Sequence, residues 1–223
     1  MKHALKFFLP IALIFICFTS CNQKEVKLPV LNVSGIQDTI YDNSQIWIFL
    51  KLHENDTVAE LNRKNAISST NWIYNIDKKL TLHQIVPHLI KMIKKRKKQG
   101  MHPKDEDDTN YFSYVDSGSK KLSMVQFDDI NYITDKRFEL TKFKNDSVTK
   151  HLSINCTKSK FSINDSIIDI AELKNYINHQ STSLKLHLSF DKHLSYKDYL
   201  YLKANLQNIK NDSIHIDMNE YVN

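Results

Sequence analysis

Three polar side chains near the end of a predicted strand are of types that can carry chemistry. His187, Asp191 and His193 lie within seven residues of one another. Imidazole and carboxylate groups together can bind zinc or act as acid and base in hydrolysis. No closely spaced pair of ligands anchors the set, so we interpret it as a surface cluster. A metal-binding or hydrolytic site in this region stays as the alternative.

The glycine content excludes several classes of enzyme. The chain has 223 residues and three glycines, Gly35, Gly100 and Gly118. A P-loop, a dinucleotide-binding fingerprint and a nucleophile elbow each need glycines that lie close together. None of these motifs fits this spacing. We therefore predict a protein that is not an enzyme, with no catalytic residue, no metal and no cofactor.

The N-terminus has the features of a signal peptide. Lys2 and Lys6 precede an apolar run at residues 7–18 that is interrupted only by Pro10. As a helix this run is about 18 Å long, which is well short of the ~30 Å hydrocarbon core of a bilayer. Residues 1–20 are therefore predicted to be a cleaved signal peptide. An uncleaved signal-anchor helix is the alternative.

The residues that follow the apolar run indicate lipid attachment. Phe18-Thr19-Ser20-Cys21 resembles a bacterial lipobox. This resemblance implies cleavage before Cys21, acylation of its thiol, and anchoring in the cell membrane or outer membrane, facing the periplasm or the cell surface. Several acyl chains would be needed, because one chain binds a membrane only marginally. Cys156 would then be the remaining cysteine, and its place in an apolar alternation predicts a small buried side chain.

The charge pattern shows one basic run. The formal net charge is +6. The run contains Lys91, Lys94, Lys95, Arg96, Lys97 and Lys98 and ends a predicted helix, and the acidic run Asp105 to Asp108 follows it. We interpret these runs as a solvated helix end and loop. Contact with anionic lipid headgroups or an anionic envelope polymer is the alternative. The exported location argues against nucleic acid.

Apolar periodicity divides the chain into two regions. Residues 21–45 are predicted to be a tether, and residues 46–135 a first α+β domain. This domain has strands near 45–50, 58–65, 72–76 and 111–115 and a helix over 82–98 that contains Pro87. Residues 136–150 form a junction.

Residues 151–223 are predicted to form a second α+β domain in the order β-β-α-β-α-β. The strands are expected at 151–156, 160–163, 184–190 and 214–218, and the helices at 171–178 and 196–209. His187 and His215 lie between apolar residues and are expected on the wetter face. The predicted fold class is therefore α+β, with one or two small modules that contain mixed sheets.

A short internal similarity links the two regions. Ile76-Asp77-Lys78-Lys79-Leu80-Thr81-Leu82 is similar to Phe190-Asp191-Lys192-His193-Leu194-Ser195-Tyr196. Both segments follow a predicted strand and precede a predicted helix. A competing register instead matches the strand that ends at Asp116 with the one that ends at Asp191. The similarity suggests two related domains and leaves the register open.

The second region resembles the periplasmic domain of the ExbD/TolR biopolymer-transport family. The matching segments are Phe161-Ser162-Ile163-Asn164-Asp165, Glu172-Leu173, Leu186-His187-Leu188-Ser189-Phe190-Asp191-Lys192, Tyr196, and the strand from Ile214 to Met218. The resemblance implies the fold, an envelope partner and dimerisation. The family's proton-coupled function needs an aspartate in a membrane helix. Residues 7–18 contain no acid, so the resemblance does not extend to ion conduction.

These observations predict a non-enzymatic envelope lipoprotein that acts as a binding or scaffolding module beside biopolymer-transport machinery. Its expected partners are the membrane, through Cys21, and an envelope protein or peptidoglycan, with a homodimer left open. Two alternatives remain. One is a metal-binding or hydrolytic protein that uses His187, Asp191 and His193, and the other is a structural lipoprotein tethered to peptidoglycan.

Overall fold

A computed structural model describes most of the chain beyond its N-terminus. The described residues are 24–54, 56–64, 66–97, 108–128, 130–137, 139, 149–157, 160–163, 166–180, 182–209 and 213–223. The predicted signal peptide and Cys21 lie outside these ranges. Within them, no helix is both long enough and apolar enough to cross a bilayer.

The first sheet is mixed and comes from the N-terminal half. Its strands are β1 (Val30–Leu31), β2 (Asn43–His53), β3 (Asp56–Asn62), β4 (Asn71–Ile76), β5 (Asn110–Asp116) and β6 (Leu122–Gln126). Their order is β1-β5-β4-β2-β3, and β6 also pairs with β5. Helix α1 (Leu82–Lys97) connects β4 to the parallel strand β5. Pro87 lies inside this helix on an exposed position.

The second sheet is also mixed. Its strands are β7 (Asn131–Ile133), β8 (Thr149–Thr157), β9 (Lys160–Ile163), β10 (Ser166–Ile168), β11 (Ser183–Phe190) and β12 (Ile214–Val222). Their order is β10-β9-β8-β11-β12-β7. Helix α2 (Ile170–Asn178) precedes β11, and helix α3 (Tyr196–Ile209) connects β11 to the parallel strand β12.

The predicted α+β class with mixed sheets is confirmed. Strand β6 was not among the predicted strands, and three shorter strands also differ from the expected organisation. Strand β1 lies inside the stretch expected to be a tether, because Leu31 and Val33 are apolar and bury in the core. Strand β7 falls within the predicted first domain but pairs with β12 of the second sheet. Strand β10 begins at Ser166, in a stretch for which no strand was predicted, and pairs with β9.

One hydrophobic core lies under both sheets. In β11, Leu184, Leu186, Leu188 and Phe190 alternate with more polar residues, and all four are buried. Cys156 of β8 joins this core with 1% of its surface exposed, which confirms the predicted buried cysteine. Burial raises the pKa of its thiol to about 12, so the sulfur stays protonated.

The similar segments in the two halves form the same turn. The carboxylate of Asp77 accepts a hydrogen bond from the backbone N–H of Lys79 at 3.0 Å. The carboxylate of Asp191 accepts one from the backbone N–H of His193 at 2.8 Å. Each turn follows the end of a strand and leads into the first turn of a helix. An aspartate in this position stabilises the change of direction between the two elements.

The two turns then contact each other across an isolated antiparallel bridge between Thr81 and Ser195. The N–H of Leu82 donates to the carbonyl of Leu194 at 2.9 Å, and the N–H of Tyr196 donates to the carbonyl of Leu80 at 2.7 Å. The two hydrogen bonds are reciprocal, as they are in a contact around a two-fold axis. The starts of α1 and α3 are thereby fixed to each other.

The strand order extends this equivalence. In the first half, β2 pairs antiparallel with β3 and parallel with β4, which pairs parallel with β5. In the second half, β8 pairs antiparallel with β9 and parallel with β11, which pairs parallel with β12. The equivalence follows the register that aligns residues 76–82 with 190–196. The competing register would align β5 with β11, and these strands occupy different places.

Candidate functional site

The structure does not bring the predicted polar cluster together. His187 lies inside β11, and Asp191 follows the end of that strand. Four residues of extended chain separate their Cα atoms by about 13 Å. Asp191 closes the turn described above, and His193 is exposed beside it.

His187 instead forms a chain with two residues from neighbouring strands. Its Nδ1 lies 2.7 Å from Oδ2 of Asp217 on β12. Its Nε2 lies 2.9 Å from Nδ1 of His151 on β8, and the two imidazole rings are nearly parallel, with centroids 5.2 Å apart. Both ring nitrogens of His187 therefore lie against polar groups inside the protein, Nδ1 at ion-pair distance and Nε2 at hydrogen-bond distance.

A bulge in β12 places Asp217 against His187. Leu186 pairs with Ile216 and Leu188 pairs with Glu220, so residues 217–219 stand opposite the single residue His187. The other carboxylate oxygen of Asp217 accepts a hydrogen bond from the backbone N–H of Asn219 at 3.0 Å. Bulges commonly redirect one side chain in this way, often beside functional sites.

His187 was expected on the wetter face of its strand, but the structure buries it. Its exposed fraction is 0%, which overturns the expectation. The alternation of β11 correctly turns His187 away from the core, but His151 and Asp217 cover it on the other face. Burial lowers its pKa, while the charge of Asp217 acts in the opposite direction. Only the strand register could have identified these two partners, because they lie far away in the sequence.

A row of polar side chains that includes His151 lies beside the buried His187. Lys185 of β11 pairs in register with His151 on one side and with His215 on the other. We call this surface the histidine face, and it comprises His151, Asn155, Lys185, Ser189, His215 and Tyr221. Its members are half-buried, except His215, which is exposed as expected. The surface offers ammonium, imidazole, amide and hydroxyl groups from three adjacent strands.

A second polar cluster holds β12, α3 and β7 together. Oε1 of Glu220 lies 2.5 Å from Nζ of Lys203, and its Oε2 accepts a hydrogen bond from the hydroxyl of Tyr199 at 2.8 Å. The hydroxyls of Tyr199 and Tyr132 are 3.1 Å apart. Burial and the Glu220 charge raise the pKa of both tyrosines. Because Tyr132 belongs to β7, this network explains why that strand joins the second sheet.

Glu220 and Lys203 also line a cavity of about 340 Å³ between α3, β12, residues 125–128 and Ile130. Lys203 forms an ion pair with the carboxylate, and the hydroxyl of Tyr199 donates a hydrogen bond to it. Paired buried charges of this kind fix the arrangement of the elements that carry them. We therefore assign this cluster to the junction between the two halves.

The basic run of α1 divides into internal and exposed members. The Arg96 guanidinium lies 4.6 Å from the ring centre of Trp72 and donates to Asn110 Oδ1 at 2.6 Å. The ammonium of Lys95 donates to a backbone carbonyl at 2.8 Å. Lys91, Lys94 and Lys97 are exposed. The solvated helix end was therefore the wrong interpretation for Arg96, which is buried because an aromatic ring and polar acceptors receive it.

Among the residues that the structure describes, no group of three or more His, Cys, Asp or Glu side chains is arranged to hold a metal ion. Comparison of the chain with protein-family models, with curated proteins and with solved structures found no match.

Proposed function

We propose that this protein is a lipid-anchored, non-enzymatic binding module of the cell envelope and that its partner binds the histidine face. The observation that carries the proposal is the cross-strand row His151, Lys185 and His215, supported from behind by the buried pair of His187 and Asp217. A surface that is already ordered loses little conformational entropy when it binds.

Binding is favoured over catalysis by the contacts of His187. Its two ring nitrogens face Asp217 and His151, so neither nitrogen is available to a substrate. General acid–base catalysis requires the ring to lie within hydrogen-bond reach of the reacting group. The pair therefore serves to position the surface around it.

The composition of the histidine face favours peptidoglycan as the partner. Binding of an apolar protein surface normally relies on aromatic and aliphatic anchors in the centre of an interface. The histidine face carries Tyr221 at its margin and hydrogen-bonding groups elsewhere. A polymer rich in hydroxyls, amides and carboxylates matches these groups. A partner from transport machinery follows from the family resemblance alone and is the alternative outcome of the test.

Co-sedimentation of the full-length protein in detergent with purified peptidoglycan sacculi tests this proposal. We expect the double variant Lys185→Ala/His215→Ala to bind at least tenfold more weakly. The double variant His193→Ala/Lys197→Ala is the matched control, because it removes one histidine and one lysine from exposed positions of the same half. Failure of the wild type to sediment, or equal binding by both variants, would contradict the proposal.

We further infer that the segment from β2 to β5 (residues 43–116) and the segment from β8 to β12 (residues 149–222) are diverged copies of one module. The reciprocal bridge between residues 80–82 and 194–196 supports this inference. Within one chain it supplies a two-fold contact of the kind that joins a homodimer, so we propose a monomer. Sedimentation equilibrium should give the mass of one chain, and twice that mass would contradict the proposal.

A further inference from the structure

We infer that a basic groove beside β3 docks on the anionic phospholipid surface of the membrane in which the chain is anchored. The groove is a cavity of about 380 Å³ between the β2–β3 hairpin and α1. Its permanent cations are Lys51, Arg63 and Lys91, and His53 and His88 also line it. The inference rests on the anchoring at Cys21 that the proposed function includes.

The charge of the groove favours an anionic surface. Glu60 is the single carboxylate among the lining residues. It forms ion pairs with Lys24 and, at 3.6 Å, with Lys51. The hydrogen bond from Lys24 holds the pKa of Glu60 below its ordinary value, so the carboxylate stays charged and paired. Three permanent cations and Lys24 then face one acid, which leaves the groove positive.

The position of the anchor places this groove next to a membrane. Lys24 contacts Glu60 at the groove, and its ammonium lies 5.9 Å from the ring centre of Phe49. Cys21 is three residues earlier, a span of at most about 11 Å of extended chain. A lipid on Cys21 would thus enter the bilayer near the groove. The span from Cys21 to Lys24 is comparable with the Debye length of about 8 Å, so the charges of the groove would act on the membrane surface.

The outer edge of β3 favours a lipid surface over a bound peptide strand. The side chain of Gln84 donates to the carbonyl of Thr57 at 2.5 Å, and Nε2 of His88 lies 3.2 Å from the carbonyl of Ala59. These contacts from α1 occupy backbone acceptors that an added strand would need. Headgroup phosphates require only the cationic side chains.

The β2–β3 hairpin adds exposed apolar side chains to the docking surface. Leu52 is 76% exposed and Val58 is 37% exposed. A basic patch near an anionic membrane adds an electrostatic attraction to the anchoring that the acyl chains provide. Glu54 and Asp56 at the hairpin tip oppose the attraction, so the expected docking is moderate and depends on anionic lipid.

Fluorescence quenching with the full-length chain in nanodiscs tests the docking. Leu52→Trp reports proximity to lipids that carry bromine on their acyl chains, once the emission of the native Trp47 and Trp72, measured in the wild type, has been subtracted. We expect at least twofold quenching in phosphatidylglycerol discs and much less in phosphatidylcholine discs. Combining Leu52→Trp with Lys51→Gln/Arg63→Gln/Lys91→Gln should abolish the difference in quenching between the two lipids.

The matched control is Lys174→Gln/Lys192→Gln/Lys197→Gln, which removes the same charge from the second half and should keep the quenching. Equal quenching in both lipids, or equal loss in both triple variants, would overturn the docking.

Mass measurement of the N-terminus separates the docking proposal from the lipid-anchor proposal. Quenching without lipid on Cys21 would support docking and remove the lipid anchor. Lipid on Cys21 without quenching would overturn docking alone.

Discussion

The outer faces of the two sheets carry different kinds of polar residues. On the first sheet, Asn75 donates to the side chain of Gln45 at 2.6 Å and accepts from the hydroxyl of Ser113 at 2.7 Å. This row is neutral, and the charged residues of the same face, Lys51 and Glu60, lie at its β3 edge. On the second sheet, the corresponding strands carry His151, His187 and Asp217, which can change charge.

The two halves share the same arrangement of strands, turns and helices beneath these faces. Both halves have a hairpin, a parallel strand, an aspartate turn, a helix and a second parallel strand, and the two turns form one reciprocal bridge. Residues that build a frame are constrained by packing, whereas residues on its outer surface are free to acquire a binding role. The comparison therefore places the candidate site in the second half.

The largest effect is expected from two equivalent leucines. Leu80 and Leu194 have no exposed surface, and both lie in the bridged turns. Leu80→Ala and Leu194→Ala should each lower the free energy of unfolding by about 3 kcal/mol, because each leaves a cavity in the shared core. Urea denaturation measures both values. A loss below about 1 kcal/mol for either variant alone would break the equivalence.

A smaller effect is expected from a glycine of the first half. A Cβ atom at Gly35 would lie 2.7 Å from the carbonyl oxygen of Met124 and would also collide with the hydroxyl of Tyr114. Gly35→Ala should therefore cost about 2 kcal/mol, which is typical of overpacking. Gly118→Ala is the control, since its Cβ would lie 3.3 Å from a carboxylate oxygen of Asp116. Equal thermal stability of the two variants would contradict this account.

The two turn aspartates, Asp77 and Asp191, should contribute differently to the free energy of unfolding. Asp77 is buried and accepts hydrogen bonds from the backbone N–H groups of Lys27 and Lys79. Asp191 is half-buried and binds the N–H of His193. We expect Asp77→Ala to cost about 2 kcal/mol and Asp191→Ala about 1 kcal/mol, because more buried donors lose their partner in the first half. The reverse order in urea denaturation would show that the turns are used differently.

The smallest expected effect is a pH dependence confined to the second half. Burial lowers the pKa of His187 from its ordinary 6.5, despite the nearby Asp217, while His151 and Lys185 act in the same direction as burial. Below pH 6.5 the unfolded chain therefore takes up a proton before the folded chain does, so His187 stabilises the fold less as the pH falls. The unfolding free energy of His187→Gln should vary less between pH 7 and pH 5 than that of the wild type. Parallel curves would exclude this contribution.

Local patterns in the sequence predicted most of the main elements, but the five-residue strand β6 was not among them. Alternation identified β11, helical spacing identified α1 and α3, and the Asp-Lys segments identified the two equivalent turns. Strands β1, β7 and β10 are only two or three residues long, and pairing with distant partners stabilises them. Such pairing has no local signal.

The candidate site was harder to predict for the same reason. His187 was singled out from the sequence as a residue of a type that can carry chemistry, but its expected partners Asp191 and His193 are neighbours in sequence and not in space. The real partners, His151 and Asp217, come from two other strands. The bulge that brings Asp217 into place depends on how β12 pairs with β11, which the amino-acid order alone does not specify.

Photocrosslinking in cells tests most directly the claim that binding belongs to the second half. A photoreactive phenylalanine analogue at His215 probes the histidine face, and the same analogue at Gln45 probes the exposed outer face of the first sheet. We predict a crosslink to peptidoglycan from position 215 and none from position 45. Equal crosslinking from both positions, or a crosslink from position 45 alone, would contradict the claim. A protein crosslinked at position 215 would contradict the assignment of peptidoglycan as the partner.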